Sequence, residues 1–226
     1  MFSTDEVPWI RHFAGFCWSR AAVILTGFAP SAFADSTVTF NGSYSFGNNG
    51  YGIPPYGGTL NGQPAEFYCV DFSHDISGGM NWNAVVTPLT PGGNYGSTYL
   101  GTSGSPTYAG SNSQAANDYL VFAWILTQMG ETTDKTQLAE DQWAIWSYTD
   151  GGYDPYGMAN AEWIICQAEA AIAAGFNGGG WEILTPDSGN YGQEFMIQTP
   201  EPATLALLAL GLGAIVFFQR RQARQH

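Results

Sequence analysis

The sequence predicts an α+β domain: a small antiparallel β-barrel or β-sandwich with an inserted helical subdomain, followed by a C-terminal transmembrane helix. Segments rich in aromatic and β-branched residues, bounded by Gly, Pro or Asn, lie on both sides of the chain's centre. Segments with helical periodicity lie between them. An uncharged apolar run, Ala203 to Phe218, comes near the end of the chain. The order strands, helices, strands therefore predicts one helical insertion in an antiparallel sheet.

Five segments have the composition and length of β-strands. They are Ser36–Phe40, Ala65–Phe72, Trp82–Leu89, Trp181–Leu184 and Glu194–Gln198. We expect Ala65–Phe72 to be a central strand. The runs 41–63 and 91–113 are dominated by Gly, Asn, Tyr and Pro, which predicts turns and long loops.

Three helices are predicted from apolar residues spaced three and four apart. They span Asn117–Met129, Thr136–Tyr148 and Asn160–Ala174, with Thr136 and Asn160 as predicted N-caps. The apolar face of the middle helix contains Gln142 between Leu138 and Ile145. A primary amide on a buried face must find hydrogen-bond partners or it costs stability, so Gln142 is either a structural residue bonded to backbone or a functional one.

Charge excludes one class of function. The chain has 6 Lys and Arg residues against 19 Asp and Glu, with a formal net charge of −13. Lys135 is the only one of these basic residues between Asp35 and Gln198. Such an acidic surface repels phosphate groups, so we expect no nucleic-acid partner. Asp71, Asp75 and Asp150 offer oxygen ligands that Ca²⁺ prefers, but they lack EF-hand spacing, so we assign no residue to a metal or a cofactor.

The first 34 residues read as a secretion signal. Arg11 and Arg20 supply positive charge, the apolar run 21–33 follows, and Ala32-Phe33-Ala34 is a small-residue cleavage pattern. We therefore predict a signal peptide over residues 1–34 and one exported globular domain over residues 35–198, which is long enough for a hydrophobic core.

The C-terminal segment has three parts in a fixed order. Pro200-Glu201-Pro202 precedes the apolar run 203–218, which is followed by Arg220 and Arg221. Under the positive-inside rule the arginines place the C-terminus in the cytoplasm and the domain outside. Residues 199–226 resemble the PEP-CTERM sorting signal. The resemblance implies anchoring in the inner membrane, processing by an exosortase, a final place at the cell surface or in the extracellular matrix, and a bacterium that makes exopolysaccharide and biofilm. A plain single-pass anchor is the alternative.

Two cysteines lie in the predicted domain, Cys69 on the central strand and Cys166 on the third helix. In an oxidising compartment a pair of cysteines predicts a disulfide by default. Free cysteines buried in the core are the other interpretation.

A second resemblance concerns Tyr68-Cys69 on the early strand and Gln142-Trp143-Ala144-Ile145-Trp146 on the middle helix. Together these motifs resemble the thioester domains of bacterial surface adhesins, although Asp141 stands where that pattern usually has Thr. The resemblance implies an internal Cys69–Gln142 thioester that acylates an amine or hydroxyl of a surface target once, without enzymatic turnover. It also implies supporting roles for neighbouring motif residues: Tyr68, Asp71, Trp143 and Trp146.

The alternatives remain open at this stage. One is a structural or glycan-binding matrix module stabilised by a Cys69–Cys166 disulfide, with no covalent chemistry. The other is a cysteine hydrolase built from Cys69, Asp71 and His74, which strand alternation disfavours because His74 has the opposite parity.

Overall fold

The computed structural model describes residues 36–102, 112–149, 154–187 and 192–199, together with Gly211. The predicted signal peptide, the Pro-Glu-Pro motif and the basic tail therefore lie outside the described residues, and so does the apolar run 203–218 apart from Gly211. No helix in the described part of the chain has the length and apolar composition needed to cross a membrane.

The described strands form a closed antiparallel barrel, which confirms the predicted α+β class and selects the barrel over the sandwich. In spatial order the barrel runs β1-β2-β3-β6-β5-β4, and β4 pairs with β1 to close it. The strands are β1 (Ser36–Asn48), β2 (Tyr51–Leu60), β3 (Gln63–Cys69), β4 (Asn81–Pro88), β5 (Trp181–Pro186) and β6 (Phe195–Gln198).

The Gly-rich run 41–63 is not a loop, so that prediction was wrong. It forms the second half of β1 and all of β2, joined by tight hairpins. Asn49-Gly50 connects β1 to β2 and Asn61-Gly62 connects β2 to β3, and all four residues have positive φ. Asn-Gly is the preferred pair for a two-residue hairpin of this kind, because both positions need positive φ. The run 91–102 does lack regular structure.

The helices form one insertion between β4 and β5, as the sequence predicted. They are α1 (Asn112–Glu131), α2 (Lys135–Ser147) and α3 (Met158–Ala173). The N-cap of α2 is Asp134 and not Thr136, because the Asp134 carboxylate accepts a hydrogen bond from the Thr136 amide. The α3 helix begins after Gly157, without a side-chain cap, so the predicted Asn160 cap was also wrong.

The middle helix, α2, is buried on almost every side, and α1 and α3 both pack against it. Its predicted apolar face is buried, including Gln142. Of the four α1 residues whose i, i+3, i+4, i+7 spacing predicts the helix, Ala123 is buried, whereas Leu120, Trp124 and Thr127 are only partly buried. The α1 core positions are Tyr119, Val121, Phe122, Ala123, Ile125 and Leu126.

Aromatic packing fills the barrel. The ring of Phe195 on β6 lies 5.5 Å from that of Phe67 on β3 and 5.8 Å from that of Trp82 on β4, centroid to centroid. Buried aromatic pairs of this kind add about 0.5–1.5 kcal/mol beyond their area burial. With a single ion pair, His74 with Asp71, among the described residues, packing carries the stability of the domain.

Candidate functional site

Cys69 is the last residue of β3 and lies opposite Phe195 of β6. Side chains alternate along the strand, so Phe67 and Cys69 point into the buried interior. Tyr68 points the other way, and its ring packs against Trp181 at 5.5 Å between centroids. The structure therefore places Cys69 inside, at the end of a strand, and does not bring Tyr68 to it.

Gln142 reaches Cys69 from α2. Its amide nitrogen Nε2 donates a hydrogen bond to the backbone carbonyl oxygen of Cys69, 2.9 Å away. Both residues are 0% exposed. The other amide atom, Oε1, is buried without a hydrogen-bond partner. The structure thus brings together the two residues that sequence analysis paired across 73 positions, and we call them the Cys69–Gln142 pair.

Two further groups contact the Cys69 sulfur. The indole Nε1 of Trp146 donates to Sγ at 3.4 Å, and Sγ–H donates to the backbone carbonyl oxygen of Asp71 at 3.1 Å. Trp146 lies one helical turn after Gln142, so α2 presents the amide and the indole to the same strand end. Trp146 is therefore a direct contact of the sulfur, and Asp71 contributes its backbone oxygen.

The Cys69 thiol is held in its neutral form. Burial raises its pKa to about 12, and the negative charge of Asp71 adds to this effect, while the Trp146 hydrogen bond opposes it. A thiolate is the reactive form of cysteine, so the folded site contains almost none of it near neutral pH. A neutral acyl derivative of the same sulfur carries no such desolvation cost.

Aromatic rings enclose the α2 side of this site. Trp143 and Trp146 meet edge to face at 5.0 Å, and Phe72 lies 5.5 Å and 5.2 Å from them. Tyr51 of β2 completes the cluster at 5.4 Å from Trp143. Trp143 also donates from Nε1 to Asn48 Oδ1 at 3.2 Å, which ties α2 to the β1–β2 hairpin. Sequence analysis missed Tyr51 because its Gly-rich surroundings were interpreted as a loop.

The carboxylate of Asp71 bonds to its own turn and to the backbone amide of Glu194, whose nitrogen is 3.4 Å from Oδ2. It accepts hydrogen bonds from the backbone amide of Ser73 and from His74, whose Nδ1 is 2.7 Å away. The hydrogen bond to Asp71 is the main reason why the pKa of His74 is raised. His74 makes no hydrogen bond to Cys69, whose sulfur bonds to Trp146 and Asp71, so the geometry gives no support to a Cys69–His74 hydrolase.

Glu194 is a buried acid that sequence analysis did not single out. It is 1% exposed and accepts hydrogen bonds from the Tyr119 hydroxyl, the Thr185 hydroxyl and the Tyr99 amide. Burial raises its pKa to about 7 despite these bonds. Its carboxylate joins α1, β5 and the 91–102 segment, and its backbone oxygen bonds to the amide of Val70, directly after Cys69. A lone Glu before a short strand gave no sequence signal for this role.

Cys69 and Cys166 are both free thiols. Cys69 is buried, whereas Cys166 is exposed on α3. A disulfide needs the two Cα atoms within about 7 Å, with side chains that face each other. The Cys69–Cys166 disulfide that sequence analysis kept as an alternative is not formed in this structure.

A surface cleft borders the Cys69–Gln142 pair through Trp146. Its volume is about 310 Å³, and its lining includes Tyr44, Tyr51, Phe72, Asp75 and Trp146. We call it the barrel cleft. Tyr44 and Tyr51 are its exposed aromatic rings. Trp146 thus separates the cleft from the buried sulfur. Across the described residues, no group of three His, Cys, Asp or Glu side chains is arranged to hold a metal ion.

Comparison with known proteins adds to the picture at two places. Residues 198–222 match the family model of the PEP-CTERM protein-sorting motif. This motif indicates an exported surface protein that is anchored in the membrane before an exosortase processes it. The signal that the sequence analysis identified from Pro200-Glu201-Pro202 and the basic tail is therefore confirmed.

The second comparison concerns the fold. The N-terminal thioester domain of the fibronectin-binding protein SfbI from Streptococcus pyogenes aligns with 76% of this chain and 97% of its own, at 11% identity and a TM-score of 0.44. A search of curated proteins returned no match.

Proposed function

We propose that this chain is an exported surface protein whose domain forms an internal Cys69–Gln142 thioester and uses it once to attach covalently to a target. The observation that carries the proposal is the hydrogen bond from Gln142 Nε2 to the Cys69 carbonyl. It holds the side-chain amide against the cysteine that would attack it, in a site with no exposed surface.

Formation of the Cys69–Gln142 thioester needs no external reactant. The Cys69 sulfur attacks the Gln142 amide carbon Cδ, the C–N bond to Nε2 breaks, and ammonia leaves with the thiol proton. The products are one thioester and one ammonia. The Trp146 indole, which donates to the sulfur, stabilises negative charge on Sγ as the S–H bond breaks.

Two features of the site favour the thioester once it has formed. The first is the high pKa of the thiol, which makes the charged thiolate the least stable state of this sulfur. The second is the enclosure by Trp143, Trp146 and Phe72, which excludes water from an activated acyl group. The enclosure also slows hydrolysis relative to attack by an acceptor that is bound next to the site.

Attack on a target occurs through the barrel cleft. An amine or hydroxyl of a surface or matrix molecule enters it, displaces the edge of Trp146 and attacks the Gln142 carbonyl. The new amide or ester then links the target to Gln142, and Cys69 is released as a thiol. Because the acyl group stays on the product, each molecule reacts once and is not a turnover enzyme.

The test uses the full-length chain and methylamine as a small acceptor. After incubation at mildly alkaline pH the protein is digested, and the peptide that contains Gln142 is weighed. We expect a methylamide at Gln142 and a thiol at Cys69 that becomes alkylable in denaturant. Cys69→Ala and Gln142→Ala should each abolish incorporation.

Cys166→Ala is the matched control, because it removes the exposed thiol and leaves the site intact. It should incorporate methylamine as the parent does. Circular dichroism verifies that each variant is folded. An unmodified Gln142 amide in the parent, or incorporation that survives Cys69→Ala, would contradict the proposal.

A further inference from the structure

A second cleft lies among the three helices, and we call it the helix cleft. Its volume is about 280 Å³, and each helix contributes to its walls: Trp124 from α1, Asp141 from α2 and Trp163 from α3. None of its lining residues belongs to the barrel cleft. The helix cleft is therefore separate from the Cys69–Gln142 pair, although Asp141 and Gln142 are neighbours in sequence.

Asp141 is an incompletely bonded acid in the wall of this cleft. The side chain is 3% exposed. Its Oδ1 accepts a hydrogen bond from Gln137 Nε2 at 2.7 Å, but its Oδ2 is buried without a partner. A buried acceptor without a hydrogen bond destabilises the folded chain. A ligand that donates a hydrogen bond to Oδ2 removes this cost, so the position points to a ligand.

The rings of the cleft supply a different kind of contact. Trp163 is 60% exposed, more than any other large hydrophobic side chain in the described part of the chain. Trp124 is only partly buried, on the α1 wall. Around them, the cleft is lined by three amide side chains: Gln128, Gln137 and Gln167. An exposed indole binds apolar C–H surfaces, and amides both donate to and accept from hydroxyl groups.

We propose that the helix cleft binds a neutral saccharide. Sugar rings offer an apolar C–H face for Trp163 and hydroxyl donors for Asp141 and the glutamines. Anionic ligands are disfavoured, because Glu131 and Asp141 line the cleft and the whole chain carries a net charge of −13. Gln137 donates its hydrogen bond to Oδ1 of Asp141, which leaves Oδ2 as the acceptor for a sugar hydroxyl.

The site gives the protein a reversible hold on a glycan that does not depend on the covalent chemistry proposed above. Saccharide binding on the helices and acyl transfer at the barrel cleft use different residues. Cys69→Ala should therefore bind saccharide as the parent does, and failure of the thioester leaves this inference standing.

Isothermal titration calorimetry on the full-length chain tests the proposal. The probes are three neutral hexasaccharides, cellohexaose, laminarihexaose and mannohexaose, with spermidine as a cationic probe. We expect saturable binding of at least one hexasaccharide. Trp163→Ala should weaken that binding by about tenfold, which corresponds to about 1.4 kcal/mol. Asp141→Asn should weaken it several-fold.

Tyr44→Ala is the matched control, because Tyr44 is an exposed ring of the barrel cleft. It should leave saccharide binding unchanged. The proposal is overturned if no hexasaccharide binds at millimolar concentration, or if binding is lost in Tyr44→Ala and kept in Trp163→Ala. Spermidine binding that depends on Trp163, without saccharide binding, also overturns it. Trp163 is exposed, so its variant stays folded and the test remains decisive even if Asp141→Asn does not fold.

Discussion

Asp141 and Gln142 are adjacent on α2, and each keeps one buried oxygen without a hydrogen-bond partner. Their surroundings differ. Gln142 faces the end of β3, where it and Cys69 are both 0% exposed. Asp141 faces the helix cleft, whose wall includes a largely exposed tryptophan.

An unsatisfied buried atom therefore does not by itself define a function. On the closed barrel side, the reactive group that Gln142 contacts is Cys69 of the same chain. This contact favours a bond within the chain. On the open helix side, a ligand bound in the cleft can supply the missing partner. One helix thus presents two different chemistries because its two faces meet different layers of the fold.

The largest expected difference concerns the two cysteines. In the Gln142→Ala chain, where no thioester can form and Cys69 stays a thiol, iodoacetamide should alkylate exposed Cys166 on the order of 100-fold faster than Cys69, because the Cys69 thiol is buried and has a pKa of about 12. Peptide mass spectrometry over a time course measures both rates. Equal rates would show that the barrel side is open, and protection of both thiols that is lost with reductant would show a disulfide.

A large difference is also expected between two tryptophans. Trp143→Ala removes a side chain that is 0% exposed and should lower the free energy of unfolding by about 3–5 kcal/mol. Trp163→Ala removes an exposed ring and should change it by no more than about 0.5 kcal/mol. Urea denaturation followed by far-ultraviolet circular dichroism compares them. Similar losses would mean that the helix cleft is part of the core.

The fold class, the single helical insertion and the burial of Gln142 were predicted correctly from the sequence. It missed β2, because Gly and Asn were interpreted as loop residues although Asn49-Gly50 and Asn61-Gly62 are hairpin signals. Because β2 was missed, Tyr51 was not recognised as a residue of the ring cluster beside the Cys69–Gln142 pair.

Other features could not be predicted from sequence. The spacing of apolar residues predicted α1, but it could not show that Trp124 borders the helix cleft. The roles of Glu194 and Asp141 depend on which distant elements surround them, and local sequence carries no record of that.

A smaller effect is expected from pH. Burial raises the pKa of Glu194 to about 7 and that of Asp141 to about 6. Each folded-state pKa exceeds the ordinary value, so the folded state binds more protons and stability falls as pH rises from about 4 to 7. Glu194→Gln should reduce this fall by about 2 kcal/mol, and Asp141→Asn should reduce it by less. Urea denaturation of the parent and both variants across that range measures the slopes; a steeper fall in Glu194→Gln would contradict the assignment.

The most direct test of the central claim is the mass of the Cys69–Gln142 linkage in freshly purified, untreated protein. The chain is denatured in acid, alkylated and digested without exposure to amines, and the peptides are sequenced by mass spectrometry. We predict one linked pair of peptides, lighter than their sum by one ammonia and joined through Cys69 and Gln142. Two separate peptides, with Cys69 alkylated and Gln142 an intact amide, would contradict the claim that these residues form a thioester.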